Sequence, residues 1–325
     1  MSELKHRIIE TNVIKMHIAE QGEGPLIVLL HGFPEIWYSW RNQIPVLAEA
    51  GYHVVAPDLR GFGDTDKPEA ISQYTILHLV GDIVGLLDAL NEEKAVIVGN
   101  DWGATLAWNA ALLRPDRFSG IVALTVPMMP QPPVPPTSVF PQNEKELFYT
   151  LYFQDPGVAE KEFEKDVLST VHNLFYSASG DAGPRKDNDG TPNPFSMVSR
   201  EHGLLSALPE PKITSWLSEK DLEVYEKAFK KTGFSGGLNY YRNLDRNREL
   251  LSCFSGVKVT IPALFMVGKR DVGLSIPGMD QIISGMKSFV PNLQRTIYIE
   301  NCGHWAQQER PEEVSAAIIS FLKDL

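Results

Sequence analysis

Four short runs that are apolar on both faces constrain this chain more than any other feature: Leu26–Leu30 (LIVLL), His53–Ala56 (HVVA), Lys94–Val98 (KAVIV) and Gly120–Val126 (GIVALTV). Strand character returns at Ala263–Val267 (ALFMV) and Thr296–Ile299 (TIYI). A strand with one wet face alternates apolar and polar residues. The four runs do not, so both faces need a cover of helices. Between the third and fourth runs, Ala104–Leu113 is rich in Ala and Leu and stops at Arg114-Pro115, a helix with its terminator. Repeated strand–helix–strand units predict an α/β fold with a mostly parallel, doubly wound sheet. Ile8–Ala19 reads as a strand pair joining one edge.

The pattern breaks at Met128–Gln142, where MMPQPPVPPTSVFPQ holds too many prolines for a helix or a central strand. Helical candidates follow at Glu144–Phe153 and Glu160–Phe175. Ser218 is expected to cap a third helix, in which Leu222, Tyr225 and Phe229 recur at helical spacing. Ser177–Pro194 is polar and reads as a loop. Its Asp187-Asn188-Asp189-Gly190 only loosely suggests a calcium loop, because the other ligand positions and the terminal Glu are absent. A C-terminal helix is expected at Pro311–Leu325. The expected organisation is therefore a core of residues 1–128 and 251–325, with a helical insertion at 129–250.

A formal net charge of −11 argues against nucleic acid as a partner, because phosphate binding needs a cationic surface. No apolar run is long enough to span a bilayer. Two cysteines, Cys253 and Cys302, cannot build a disulfide framework, and Met1–His6 carries no apolar signal core. The expected location is the cytoplasm.

The candidate chemistry sits where apolar runs end. Gly99-Asn100-Asp101-Trp102-Gly103 has the spacing of the G-x-S-x-G strand-to-helix elbow, with Asp101 in the nucleophile's place. Downstream, Asp271 in VGKRDVG and His304 in NCGHWAQQERP each follow a predicted strand, at the carboxyl edge of the sheet. The order nucleophile, acid, histidine is that of α/β-hydrolases. The turn His31-Gly32-Phe33-Pro34 follows LIVLL, and in such a fold it supplies one backbone donor of an oxyanion hole, here Phe33. The second donor is the residue after the nucleophile, Trp102. Pro34 is a candidate for a cis bond that aims the Phe33 amide. His31 reads as a structural histidine holding this turn.

HGFPE (31–35), PDLRGFGDTDKP (57–68), GNDWGA (99–104), Asp271 and GHWAQQERP (303–311) together resemble the soluble, cytosolic-type epoxide hydrolases. The resemblance runs nearly end to end and includes the insertion. There FYTLYFQDPG (148–157) and NYYRNLDRN (239–247) are similar to lid segments of that family. It implies an α/β-hydrolase fold with a helical lid, opening epoxides to vicinal diols with no metal or cofactor. Small hydrophobic epoxides and water are the implied partners. Carried over by position, Asp101 is the nucleophile, Asp271 the acid and His304 the base. Tyr149 and Tyr241 match the lid tyrosines that hold the epoxide oxygen, with Tyr152 and Tyr240 as near rivals in sequence. One departure stands out: the family has His before the nucleophile, and this chain has Asn100.

The residue types suit the reaction. An alkoxide nucleophile attacking a saturated carbon leaves a stable ether, whereas a carboxylate leaves an ester that water can cleave. The departing alkoxide needs donors across the cavity, which phenols provide. Trp37, Tyr38, Trp40, Trp102, Met128 and Met129 are candidates for an apolar wall, and Glu35 for ordering water near the oxyanion turn. A haloalkane dehalogenase is the nearest alternative. It also uses an Asp on an elbow, but must bind a halide, often through an Asn after His-Gly where this chain has Phe33. A non-catalytic receptor on the same fold has no need of the full Asp101, Asp271 and His304 set. A serine esterase is excluded at this elbow because position 101 is not Ser.

Overall fold

The computed structural model describes residues 3–182 and 193–325. The strands are β1 (Lys5–Thr11), β2 (Ile14–Gln21), β3 (Leu26–Leu30), β4 (His53–Pro57), β5 (Ala95–Asn100), β6 (Phe118–Leu124), β7 (Glu146–Leu147), β8 (Val198–Ser199), β9 (Ala263–Gly268) and β10 (Leu293–Ile299). Eight form one sheet in the order β1-β2-β4-β3-β5-β6-β9-β10, and β7 pairs with β8 in a separate two-stranded sheet. The β1–β2 hairpin is antiparallel and β2 pairs antiparallel with β4. Every other pairing in the large sheet is parallel.

Side-chain alternation explains the double cover. In β3, Leu26, Val28 and Leu30 enter one core while Ile27 and Leu29 enter the other. The first core takes in the helices Ile76–Ala89 and Trp102–Leu113 together with the inserted helices. The second takes in Gln43–Glu49 and Pro311–Lys323. Helices on both faces are what the all-apolar runs require.

Between β6 and β9 the described chain is largely helical. The expected helix Glu144–Phe153 is instead the short β7 followed by one turn, Tyr149–Tyr152. The second candidate is two helices, Val158–Phe163 and Val167–Ala178. It breaks where Asp166 accepts the Ser169 N–H at 3.1 Å and caps the second. Ser218 caps Glu219–Thr232 in a reciprocal box with Asp221. The tetrad Asp187–Gly190 lies outside the described residues. Among the described residues, no helix is long and apolar enough to cross a membrane.

Candidate active site

Parallel strands put their carboxyl ends on one edge, and the chemical groups collect there. Asn100 is in register with Leu124, Leu30 with Gly99, and Leu124 with Met266. The residues leaving β3, β5, β6, β9 and β10 are therefore neighbours. Asp101 sits on the turn from β5 into the helix Trp102–Leu113, with φ 54° and ψ −119°. A non-glycine residue held there is strained, and such strain persists only where its surroundings fix it. The flanking glycines permit the turn, since a Cβ on Gly99 would overlap the Gly103 carbonyl and one on Gly103 would overlap Leu30 O. Thr125, the residue after β6, is also at positive φ (68°), and its Oγ1 accepts the Asp101 N–H at 3.2 Å.

The Asp101 carboxylate faces two ways. Oδ1 accepts the Phe33 N–H at 2.9 Å, and Oδ2 lies 3.3 Å from His304 Nε2. The Phe33-Pro34 bond is cis. The N–H of Trp102 opens a helix and so has no carbonyl a turn behind it. His304 Nδ1 lies 3.1 Å from Asp271 Oδ2, and Asp271 Oδ1 accepts the Gly273 N–H at 2.6 Å. Burial opposes charge on His304, but Asp271 and then Asp101 outweigh it and hold the imidazole pKa well above its ordinary value. The three residues read from the chain order thus form one hydrogen-bonded set.

Of the four tyrosines in the segments FYTLYFQDPG and NYYRNLDRN, two are committed elsewhere. Tyr152 donates to Glu162 Oε2 at 2.7 Å and Tyr240 to Arg60 O at 2.9 Å. Tyr149 and Tyr241 pack against each other, ring centres 6.0 Å apart, and Tyr241 lies edge-on to Trp102 at 5.1 Å and to Phe33 at 5.9 Å. Burial, then the Asp101 charge, pushes Tyr149 up to about 12 and Tyr241 well above the ordinary phenol value. Both remain protonated donors at neutral pH. Phe153 completes this aromatic shell, 5.0 Å from the Tyr241 ring and 5.5 Å from Tyr149.

Trp37 and Tyr38, expected in the pocket wall, are placed elsewhere. Trp37 packs with the core on the opposite sheet face and bounds a surface groove with His6 and His17. The Tyr38 hydroxyl donates to Asp221 Oδ1 at 2.9 Å, with the Arg41 guanidinium over its ring. Both belong to the short helical turn Trp37–Trp40, which turns away from Asp101 towards β1–β2 and the helix Glu219–Thr232. Trp40 is buried in the opposite core and Met129 is exposed, whereas Met128 is buried on the Asp101 side of the sheet. Glu35 is fully buried. Its carboxylate accepts from Gly32 N, Asn100 Nδ2, Gln307 Nε2 and Gln308 Nε2 at 2.8–3.3 Å, so protein amides surround it. Asn100 therefore spends its amide on Glu35 beneath the elbow. His31 holds its turn as read from the sequence: Nε2 accepts the Leu59 N–H at 2.9 Å and Nδ1 reaches Gly32 O at 2.8 Å.

Sequence reasoning missed Thr125 and Glu309. Neither carries a motif signal beyond its place beside a strand end or within GHWAQQERP. Glu309 is buried and accepts three backbone N–H bonds, yet burial still pushes its carboxyl up to about 7.

The family model for the alpha/beta hydrolase fold matches residues 25–311. That defines the class which the sheet order, elbow and edge cluster already describe. Epoxide hydrolase A of Mycobacterium tuberculosis is 43% identical over 326 residues, covering 98% of this chain and 97% of its own. Epoxide hydrolase 3 of Siraitia grosvenorii is 41% identical over 99% of both chains. The solved structure of an epoxide hydrolase from an endophytic Streptomyces superposes with a TM-score of 0.92 at 39% identity, covering 98% of this chain and 95% of that one. The chain belongs to the epoxide hydrolases of the α/β-hydrolase family. The dehalogenase alternative is not favoured.

Proposed function

We propose that this enzyme opens small hydrophobic epoxides through an ester on Asp101. The observation that carries the reading is the Asp101 carboxylate itself, one oxygen on the Phe33 N–H and the other on His304, beneath two protonated phenols. Asp101 attacks the saturated carbon, and the ring oxygen leaves towards Tyr149 and Tyr241. An alkoxide is more basic than an ordinary phenolate, so the two phenols suit the role of proton donor to the leaving oxygen.

Esterification removes the negative charge of Asp101 and one hydrogen bond to His304. Both support its protonated form. The imidazole pKa therefore falls after the first step, and neutral His304, oriented by Asp271, takes a proton from water that attacks the ester carbonyl. The resulting oxyanion meets the N–H groups of Phe33 and Trp102, and losing one such donor costs roughly 3–4 kcal/mol. Collapse of the oxyanion breaks the ester C–O bond, and the departing diol oxygen takes the His304 proton. The proton left on the Asp101 carboxyl returns to the phenolate. Thr125 and the elbow glycines keep the carbonyl in that hole.

On this reading residues 129–250 are the lid that carries both phenols, and 1–128 with 251–325 are the core. Two free cysteines suit a reducing cytoplasm, where the enzyme would remove reactive epoxides. The test is His304→Gln mixed with styrene oxide and quenched for mass spectrometry. The expected product is a stable adduct on the peptide containing Asp101. A variant that turns over fully without an adduct contradicts the reading, and faster halide release from a haloalkane control favours the dehalogenase.

A further inference from the structure

Asp271 orients the His304 ring, while the backbone that carries the ring is held by other groups. Its turn, Cys302–Trp305, follows β10 and has no regular secondary structure to fix it. The three consecutive N–H groups at 303, 304 and 305 are nonetheless all paired. Gly303 N donates to Glu309 Oε2 at 2.8 Å, His304 N to Ala178 O at 3.0 Å, and Trp305 N to Glu309 Oε1 at 3.0 Å. Glu309 Oε2 also accepts the Gly180 N–H at 2.9 Å.

Ala178 ends the inserted helix Val167–Ala178 and Gly180 opens the short turn Gly180–Ala182 after it, so one buried carboxylate bridges two parts of the chain far apart in sequence. The approach is backbone to backbone. A Cβ on Gly303 would overlap Gly180 N, and a Cβ on Gly180 would lie 3.0 Å from Glu309 Oε2. The seam has other ties that do not involve Glu309: Arg270 Nη1 donates to Gly180 O at 3.0 Å and Trp305 Nε1 to Phe175 O at 2.7 Å.

We infer that Glu309 is a positioning residue for His304, clamping the turn that carries the base to the end of the helix Val167–Ala178 so that Nε2 stays aimed at the Asp101 side chain. The inference rests on the proposed ester mechanism. Glu309 touches neither His304's ring nor the reacting atoms, so it acts through the backbone. Without it three buried N–H groups lose their acceptor. The ties from Arg270 and Trp305 remain, so the turn is loosened rather than lost. Ester formation on Asp101 does not need the base, and ester hydrolysis does. The effect therefore falls on the second step.

The experiment is single-turnover reaction of Glu309→Ala and Glu309→Gln with excess enzyme over styrene oxide, quenched at intervals for mass spectrometry of the Asp101 peptide. Ester formation should keep nearly the unsubstituted rate. Ester breakdown should slow by about a hundredfold in Glu309→Ala, the scale of a misplaced catalytic group. Glu309→Gln, which keeps one oxygen acceptor, should fall between. Amide hydrogen exchange at Gly180, Gly303 and Trp305 should quicken in step with that order. If Glu309→Ala does not fold, Glu309→Gln decides. Breakdown at the unsubstituted rate, or equal slowing of both steps, overturns the inference. His304→Gln run alongside separates the two claims. If it shows no ester, the Asp101 mechanism fails and this inference with it. If it traps the ester while the Glu309 variants release theirs normally, only the role of Glu309 fails.

Discussion

Asp101 has its carboxylate oxygens divided between two tasks before any substrate arrives. Oδ1 already rests on the Phe33 N–H, and Oδ2 already faces the imidazole. On the proposed mechanism the oxyanion hole serves the enzyme's own side chain, which becomes the carbonyl that water attacks. Opposite it stand Tyr149 and Tyr241, whereas the Tyr152 hydroxyl is taken up by Glu162. Replacing either Tyr149 or Tyr241 with Phe should slow ester formation, and replacing both should cost about 10²–10⁴-fold, the usual share of a general acid. Pre-steady-state kinetics reads this step directly. Loss confined to ester hydrolysis would contradict the assignment. Asp101, Asp271 and His304 were legible because each stands in a short turn after an apolar run, where the residue type itself carries the chemistry. Trp37 and Tyr38 were misread because closeness in sequence to the oxyanion turn says nothing of the direction in which the next helical turn leaves it. Thr125 and Glu309 gave no signal, since their contribution is a hydrogen bond to someone else's backbone.

Among the elements, the β5 elbow is the tightest. Gly99 and Gly103 let the helix Trp102–Leu113 start directly over β3, and Gly103 lies against Leu30 O and His31 O. A Gly103→Ala substitution forces that contact apart. Overpacking of this kind costs about 1–3 kcal/mol, and urea unfolding should show it with an activity loss from the displaced Asp101. Unchanged stability and activity would show that the elbow tolerates a side chain. The central strands β3, β5 and β9 were legible to within two residues because burial on both faces leaves no polar alternation to mislead. Inserted helices were less so. Glu160–Phe175 keeps a helical period through Glu164–Asp166, but Asp166 binds the Ser169 amide and restarts the helix, a local competition that apolar spacing does not register.

Across the whole molecule, the site is assembled by parts distant in sequence. Core turns bring Asp101, Asp271 and His304, and the insertion brings both phenols. The halves are fastened at more than the Glu309 seam. Arg41 pairs with Asp221 at 3.1 Å and donates to Trp216 O, while Tyr225 reaches Ser39 and Gln308. Such long-range pairings are invisible to a reading of local pattern, which gave the sheet and the insertion but not how they join. The charged centre also sets a pH dependence. His304 binds its proton more tightly folded than unfolded, so its contribution to stability is complete below about pH 6.5, the unfolded value. It is lost as pH rises from there through the higher folded pKa. Denaturant unfolding of the unsubstituted enzyme should show this decline, and His304→Gln should lack it. Parallel pH curves would mean that the imidazole is not held by Asp271 and Asp101.

The ester on Asp101 is tested most directly by following oxygen through one turnover. Enzyme in excess over a terminal epoxide is mixed in water carrying the heavy oxygen isotope. If Asp101 attacks first, the oxygen newly bonded to carbon comes from its carboxylate. The diol of the first turnover is then unlabelled, and the heavy oxygen appears in the peptide containing Asp101. A labelled diol from that first turnover, with an unlabelled peptide, would mean that water attacks the epoxide directly and that Asp101 is not the nucleophile.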